Sequence, residues 1–145
     1  MNLPFSLKTL NVLACLLFTV FSCVQYNDID PDTYYHPSSL DAALWLGFYA
    51  LIAVLFVGIL FVRVPNGIFL LTALACLIEL GRTAPGLWEN LFGEKDFTMM
   101  ATSMSGSDPR VELSREFFGA LIALAAVGLL WWERSKFARP PASSA

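Results

Sequence analysis

Apolar positions in this chain fall into four long runs, separated by stretches where Asp, Pro, Gly and Ser collect. The second run is the clearest. It covers residues 42–62, 21 positions without a charge, and stops at Arg63. At about 1.5 Å per residue, a helix of that length reaches roughly 32 Å and crosses a hydrocarbon core of about 30 Å. The pattern therefore predicts a polytopic membrane protein, an all-α antiparallel bundle of four transmembrane helices forming a single membrane domain.

The first run, residues 10–26, follows Lys8 and ends at Asn27-Asp28. Its positive start and apolar middle also resemble a secretory signal. Phe21 fits poorly in the Val20-Phe21-Ser22-Cys23 stretch that would be cleaved, and three more runs follow, so it reads as an uncleaved span. Residues 27–41 form a loop holding Asp28, Asp30, Asp32 and Asp41, without Lys or Arg, and Pro31 and Pro37 exclude a helix there. Trp45 and Tyr49 then stand near the start of the second span, as interfacial aromatics do.

Arg63-Val64-Pro65-Asn66-Gly67 reads as a tight turn that makes the second and third spans antiparallel neighbours. The third span, residues 65–82, carries Glu79 in its last turn. A long extramembrane loop is expected over residues 83–114, opened by Pro85-Gly86. Within it, residues 87–92 suit a short amphipathic turn on the membrane surface, and Ser- and Gly-rich residues 102–109 suit a mobile segment. The fourth span covers residues 117–132 and ends at Trp131-Trp132, before a tail, residues 137–145, expected to be disordered.

Lys8, Arg63, Arg134, Lys136 and Arg139 share one side of this topology, and the acidic first loop on the other has no base. The positive-inside rule then makes both termini cytoplasmic. Arg82, Lys95, Arg110 and Arg115 around the long loop weaken that count. With its first span so near the start, the chain fits a bacterial inner (plasma) membrane.

Composition narrows the chemistry. The chain is 57% hydrophobic and 14% charged, where a soluble domain carries about a quarter charged residues. A net charge of -3 without a basic block argues against a nucleic-acid partner. Cys15, Cys23 and Cys76 lie in apolar runs and read as small buried hydrophobes. His36 is the single histidine, reads as a solvated loop residue, and excludes a multi-histidine metal or haem site. Asp28-x-Asp30-x-Asp32 opens like a calcium loop, but Thr33 stands where that motif needs Gly and Ser39 where it needs Glu. No GxSxG, HExxH or phosphate-cradling loop is present. No catalytic residue, metal or cofactor is assigned.

Helical projection groups the small and polar residues of each span on one face. These are Asn11, Cys15, Thr19 and Ser22; Ala43, Gly47 and Ala50; Thr72, Ala75, Cys76 and Glu79; and Gly119, Ala123 and Ala126. They read as packing stripes, with Gly47, Gly119 and Ala123 as points of close helix approach. The topology also brings span ends together at the outer face. Gln25, Asn27, Asp28, Asp30, Glu79, Arg82, Arg115 and Glu116 converge there. Glu79 and Arg82, at i and i+3, can pair, and Arg115 is placed to balance Asp28 or Glu79. This cluster can be a structural clamp or a site for an ion, a lipid headgroup or a small polar ligand.

Val24-Gln25-Tyr26-Asn27-Asp28-Ile29-Asp30-Pro31, followed by a span with Trp45 and Tyr49, resembles the transmembrane protein 220 family. Glu112 and Arg115-Glu116-x-x-Gly119 resemble its second signature, and the likeness runs from about residue 10 to residue 132. The chain departs from the family pattern in its long middle loop. The resemblance implies a small four-helix membrane protein and directs attention to Gln25, Asn27, Asp28, Asp30, Arg115, Glu116 and Gly119. Small size and the lack of a catalytic constellation favour a non-enzymatic accessory or structural protein in the lipid bilayer, with a membrane-protein partner or a second copy as its associate. The alternative is a binding or transport module using the outer cluster.

Overall fold

The computed structural model describes residues 3–35 and 37–137, with Asn27 described through its backbone alone. The expectations of a solvated His36 and, beyond Phe137, of a disordered tail therefore lie outside the described residues. Four helices account for most of the chain: α1 (Phe5–Val24), α2 (Ser39–Phe61), α3 (Asn66–Phe92) and α4 (Arg110–Phe137). Short 3-10 turns at Gln25–Asn27 and Ala101–Ser103 lie in the connections. All four helices are long and apolar enough to cross a membrane.

Local chemistry explains their ends. Ser38 caps α2, its Oγ accepting from the Asp41 backbone N–H at 3.0 Å, and Asp41 places negative charge in the first turn. At the other end Val62 is extended and Pro65, with φ fixed near -62°, restarts the chain into α3. On α1, Phe18 and Ser22 turn inward, whereas Leu13, Leu16, Leu17 and Val20 are exposed for lipid.

The helices do not pack in chain order. α1 lies along α2, α2 also touches α4, and α3 lies along α4. The tight turn at residues 62–65 thus connects α2 to α3 without making them principal packing partners, contrary to the sequence expectation. The partners of α2 are set by its aromatic face: Tyr49 and Phe56 meet Phe18 of α1 with ring centroids at 6.2 and 5.9 Å. The α3–α4 contact extends over most of both helices. It begins at Phe69 and Trp131, centroids 6.1 Å apart. It passes the Arg82–Glu116 ion pair and ends where Asn90 meets Ser114. Buried Ile52, Phe56, Cys76, Ala120, Ala123 and Val127 belong to one core. Lipid is as apolar as these side chains, so their burial stabilises mainly by close packing.

Two boundaries differ from the sequence reading. α3 continues past Arg82 to Phe92 with Pro85 inside it, and α4 starts at Arg110, ahead of the apolar run. Pro85 removes one helical N–H, and its ring faces the carbonyl of residue 81, a glycine. Packing outweighs that loss. Thr83, Gly86 and Asn90 are all buried on the side toward α4, and a methyl group at Gly86 would overlap the Leu113 side chain. The connection is therefore only residues 93–109. It is also held rather than loose: the Gly106 N–H donates to Asp32 O at 3.2 Å, and Lys95 pairs with Asp108 at 2.7 Å.

Candidate binding site between the loops

Where α1 ends and α2 begins, the structure holds a cavity of about 460 Å3. Its apolar wall comes from Phe21 of α1, Trp45 and Tyr49 of α2 and Ile122 of α4. Asp28, Tyr34, Glu112, Arg115 and Glu116 supply polar groups, and Met99 and Met104 of the long connection close one side. The three carboxylates lie around a cavity rather than about a point. Among the described residues, no three His, Cys, Asp or Glu side chains are grouped to hold a metal ion.

The expected cluster residues divide between the cavity and its surroundings. Gln25 lines the cavity, and its Nε2 donates to Phe21 O at 3.3 Å. Asn27 falls in the 3-10 turn, but its side chain lies outside the described residues. Asp28 lines the cavity and accepts a hydrogen bond from the Tyr34 hydroxyl. Burial pushes the Asp28 carboxyl above its usual range, against the opposing pull of Tyr34 and of the Arg115 charge. Burial and the same bond push the Tyr34 hydroxyl up to about 12. Asp30 is elsewhere: it is exposed and caps its own turn, accepting from Asp32 N at 3.1 Å and Thr33 Oγ1 at 3.0 Å.

The charge pairing centres on Arg82, not Arg115. Arg82 Nε reaches Glu79 at 2.7 Å, as the spacing predicts, and its Nη2 reaches Glu116 at 3.0 Å. The guanidinium also lies 5.9 Å from the Trp45 ring centroid. Arg115 instead donates to Met99 O at 3.4 Å and faces the cavity. It forms no ion pair with Asp28 or Glu79 among the described residues.

The packing glycines divide. Gly119 lines the cavity where the Tyr49 hydroxyl occupies the place of a side chain. Ala123 is fully buried. Gly47, expected at a helix contact, is exposed with open space where its Cβ would be, because α2 turns its aromatic side inward and this stripe outward.

Several site residues escape the sequence reading. Glu112 carried the resemblance but was not placed in the cluster. Its Oε2 accepts the Tyr35 N–H at 2.6 Å, tying the first loop to α4. Residues 112, 115, 116 and 119 are spaced i, i+3, i+4 and i+7, so one helix face presents them all, and that signal was available. Arg110 gave no such signal. It is buried, donates to Asn90 Oδ1 at 2.7 Å and Asp96 O at 2.8 Å, and holds Asp108 at 3.1 Å. Asn90 in turn bonds Thr98 O at 2.8 Å and Ser114 Oγ at 3.0 Å. This network positions the connection that carries Met99 and Met104.

Four apolar helices without strands among the described residues, with a cavity of mixed polar and apolar lining at one end, define an all-α multi-pass membrane protein. The model of the family described as transmembrane family 220, helix, matches residues 17–132, and the chain belongs to that family. No curated protein and no solved structure matches it significantly.

Proposed function

We propose that this protein is a non-enzymatic binding module of the cell's inner (plasma) membrane, and that its cavity takes a small polar ligand bearing positive charge. One observation carries the reading. Asp28, Glu112 and Glu116 surround a space of about 460 Å3, with Arg115 the lone base among its lining residues. Trp45, Tyr49 and Tyr34 add aromatic faces, which attract cations as carboxylates do. The volume lies within the range of roughly 300–1,000 Å3 typical of small-molecule sites. With both termini cytoplasmic, as the basic residues favour, this cavity faces outward from the cell.

The test is thermal unfolding of the purified chain in mild detergent, titrated with primary and quaternary amines, and with a lipid bearing such a headgroup. Stabilisation of wild type that is lost in both Asp28→Asn and Glu112→Gln supports the reading. Variants that only melt lower, with no ligand raising the wild-type melting temperature, make the cluster a structural clamp.

A second reading rests on Gly47. Its open surroundings, beside exposed Ala43, leave a small-residue stripe of α2 facing outward. Such a stripe suits close approach by a helix of a membrane-protein partner or a second copy. Crosslinking through a cysteine at position 47 in native membranes tests it, and the absence of any adduct counts against it.

A further inference from the structure

At the end of the bundle opposite the cavity, a second polar contact joins α1 to α4. Asn11 and Glu133 are both fully buried, at 0% exposure. Asn11 Nδ2 donates to Glu133 Oε2 at 2.8 Å. The remaining oxygen of each group, Asn11 Oδ1 and Glu133 Oε1, is buried with no hydrogen-bond partner. An amide oxygen and an ionised carboxylate are acceptors only, so neither can relieve the other. A buried acceptor left without a donor costs about 1–3 kcal/mol, and more when charged.

One proton removes both deficits. A neutral carboxylic acid accepts through its carbonyl and donates through its O–H. It can therefore take the Asn11 N–H on one oxygen and give its own proton to Asn11 Oδ1 from the other. We propose that Glu133 and Asn11 form a binding site for a single proton, and that the resulting neutral acid–amide pair fastens α1 to α4.

The surrounding charges are consistent with this. Arg134, next on α4, lies with its guanidinium 5.6 Å from the Phe69 ring centroid of α3, and its buried Nη1 has no hydrogen-bond partner. Lys8 on α1, Arg63 in the α2–α3 turn and Lys136 on α4 are exposed. None of these bases forms an ion pair with Glu133 among the described residues. A buried carboxylate would gain from recruiting one of them, and none is recruited. Because the folded chain holds the proton more tightly than the unfolded one, its stabilisation is complete below the ordinary glutamate range of about 4.3, shrinks as pH rises above it, and is gone once the folded chain releases the proton.

The experiment uses the full chain in lipid nanodiscs, with infrared spectra and thermal unfolding recorded for wild type and Glu133→Gln. Glutamine offers an N–H and a C=O where the neutral acid offers an O–H and a C=O. The expected result is a protonated-carboxyl C=O band in wild type that is missing from Glu133→Gln. The two proteins should melt together near pH 4, and wild type alone should lose melting temperature as pH rises from about 4 through neutrality. Asn11→Leu, a second variant, should shift that band by removing its hydrogen-bond partner. Two results overturn the proposal. One is a wild-type spectrum without the protonated band, with Glu133→Gln melting well below wild type. The other is stabilisation of wild type by added sodium at fixed pH that Glu133→Gln lacks, which would make the pair a metal-cation site.

Discussion

The hydroxyl of Tyr49 on α2 occupies the space that any side chain at position 119 of α4 would need. Tyr49 is itself only 5% exposed and is wedged between Trp45 and Phe21, each with its ring centroid 5.5 Å away. The tyrosine and the glycine are thus one feature. They set how closely α2 and α4 approach at the wall of the cavity.

Gly119→Ala should destabilise the protein by about 1–3 kcal/mol, the usual cost of overpacking. The overlap is with the hydroxyl oxygen, since the ring carbon bearing it would lie at an ordinary 3.4 Å. Tyr49→Phe should therefore restore most of the loss in the double variant. Thermal unfolding of the two singles and the double measures the coupling. A double variant melting as low as Gly119→Ala would show that the contact is not the cause.

Asn90→Leu should release the long connection. It removes one of the three acceptors of the buried Arg110 guanidinium and both bonds to the Thr98 backbone. Leaving a buried donor short of a partner costs about 1–3 kcal/mol. Limited proteolysis should show new cleavage within residues 93–109, and a wild-type digestion pattern would contradict the assignment.

Arg82 and Glu79 should not be equivalent. Their mutual pair is partly exposed, with side-chain exposures of 42% and 28%, so Glu79→Gln should cost under about 1 kcal/mol. Arg82→Gln should cost more, because it also strips the partner from Glu116, which is only 17% exposed. Unfolding measurements on both variants decide it. Equal losses would mean that the Glu116 contact contributes nothing.

The hold on the connection should weaken in acid. The Lys95 hydrogen bond, with help from Arg110, keeps the Asp108 carboxyl below its ordinary value of 3.8. A depressed carboxylate stabilises the folded form above the unfolded value and loses that contribution as pH falls through the folded value. Protease sensitivity of residues 93–109 should therefore rise below about pH 4. In Lys95→Met the sensitivity should already be raised at neutral pH and respond less to acid.

Much of the site was legible because helix periodicity is local. The Glu79–Arg82 pair follows from i, i+3 spacing alone, and the convergence of Asp28, Arg115 and Glu116 follows from the topology. The partner of each charge was not legible. Arg115 and Arg82 are both candidates for Glu116 or Asp28 by position, and the choice depends on which helices pack side by side. Asp30 illustrates the same limit: an acid two residues after Asp28 turns out to cap its own loop.

Where this chain crosses lipid is decided by its hydropathy and the bilayer thickness. Those two facts act on each segment independently, so the presence of four helices long and apolar enough to cross a membrane could be read directly. The lateral order α1–α2–α4–α3, the helical passage through Pro85, and the meeting of Asn11 with Glu133, 122 positions apart, could not. Each depends on how specific surfaces fit. Between helices in lipid, the energy that selects partners is the close packing and hydrogen bonding of particular side chains, which no single segment carries within itself.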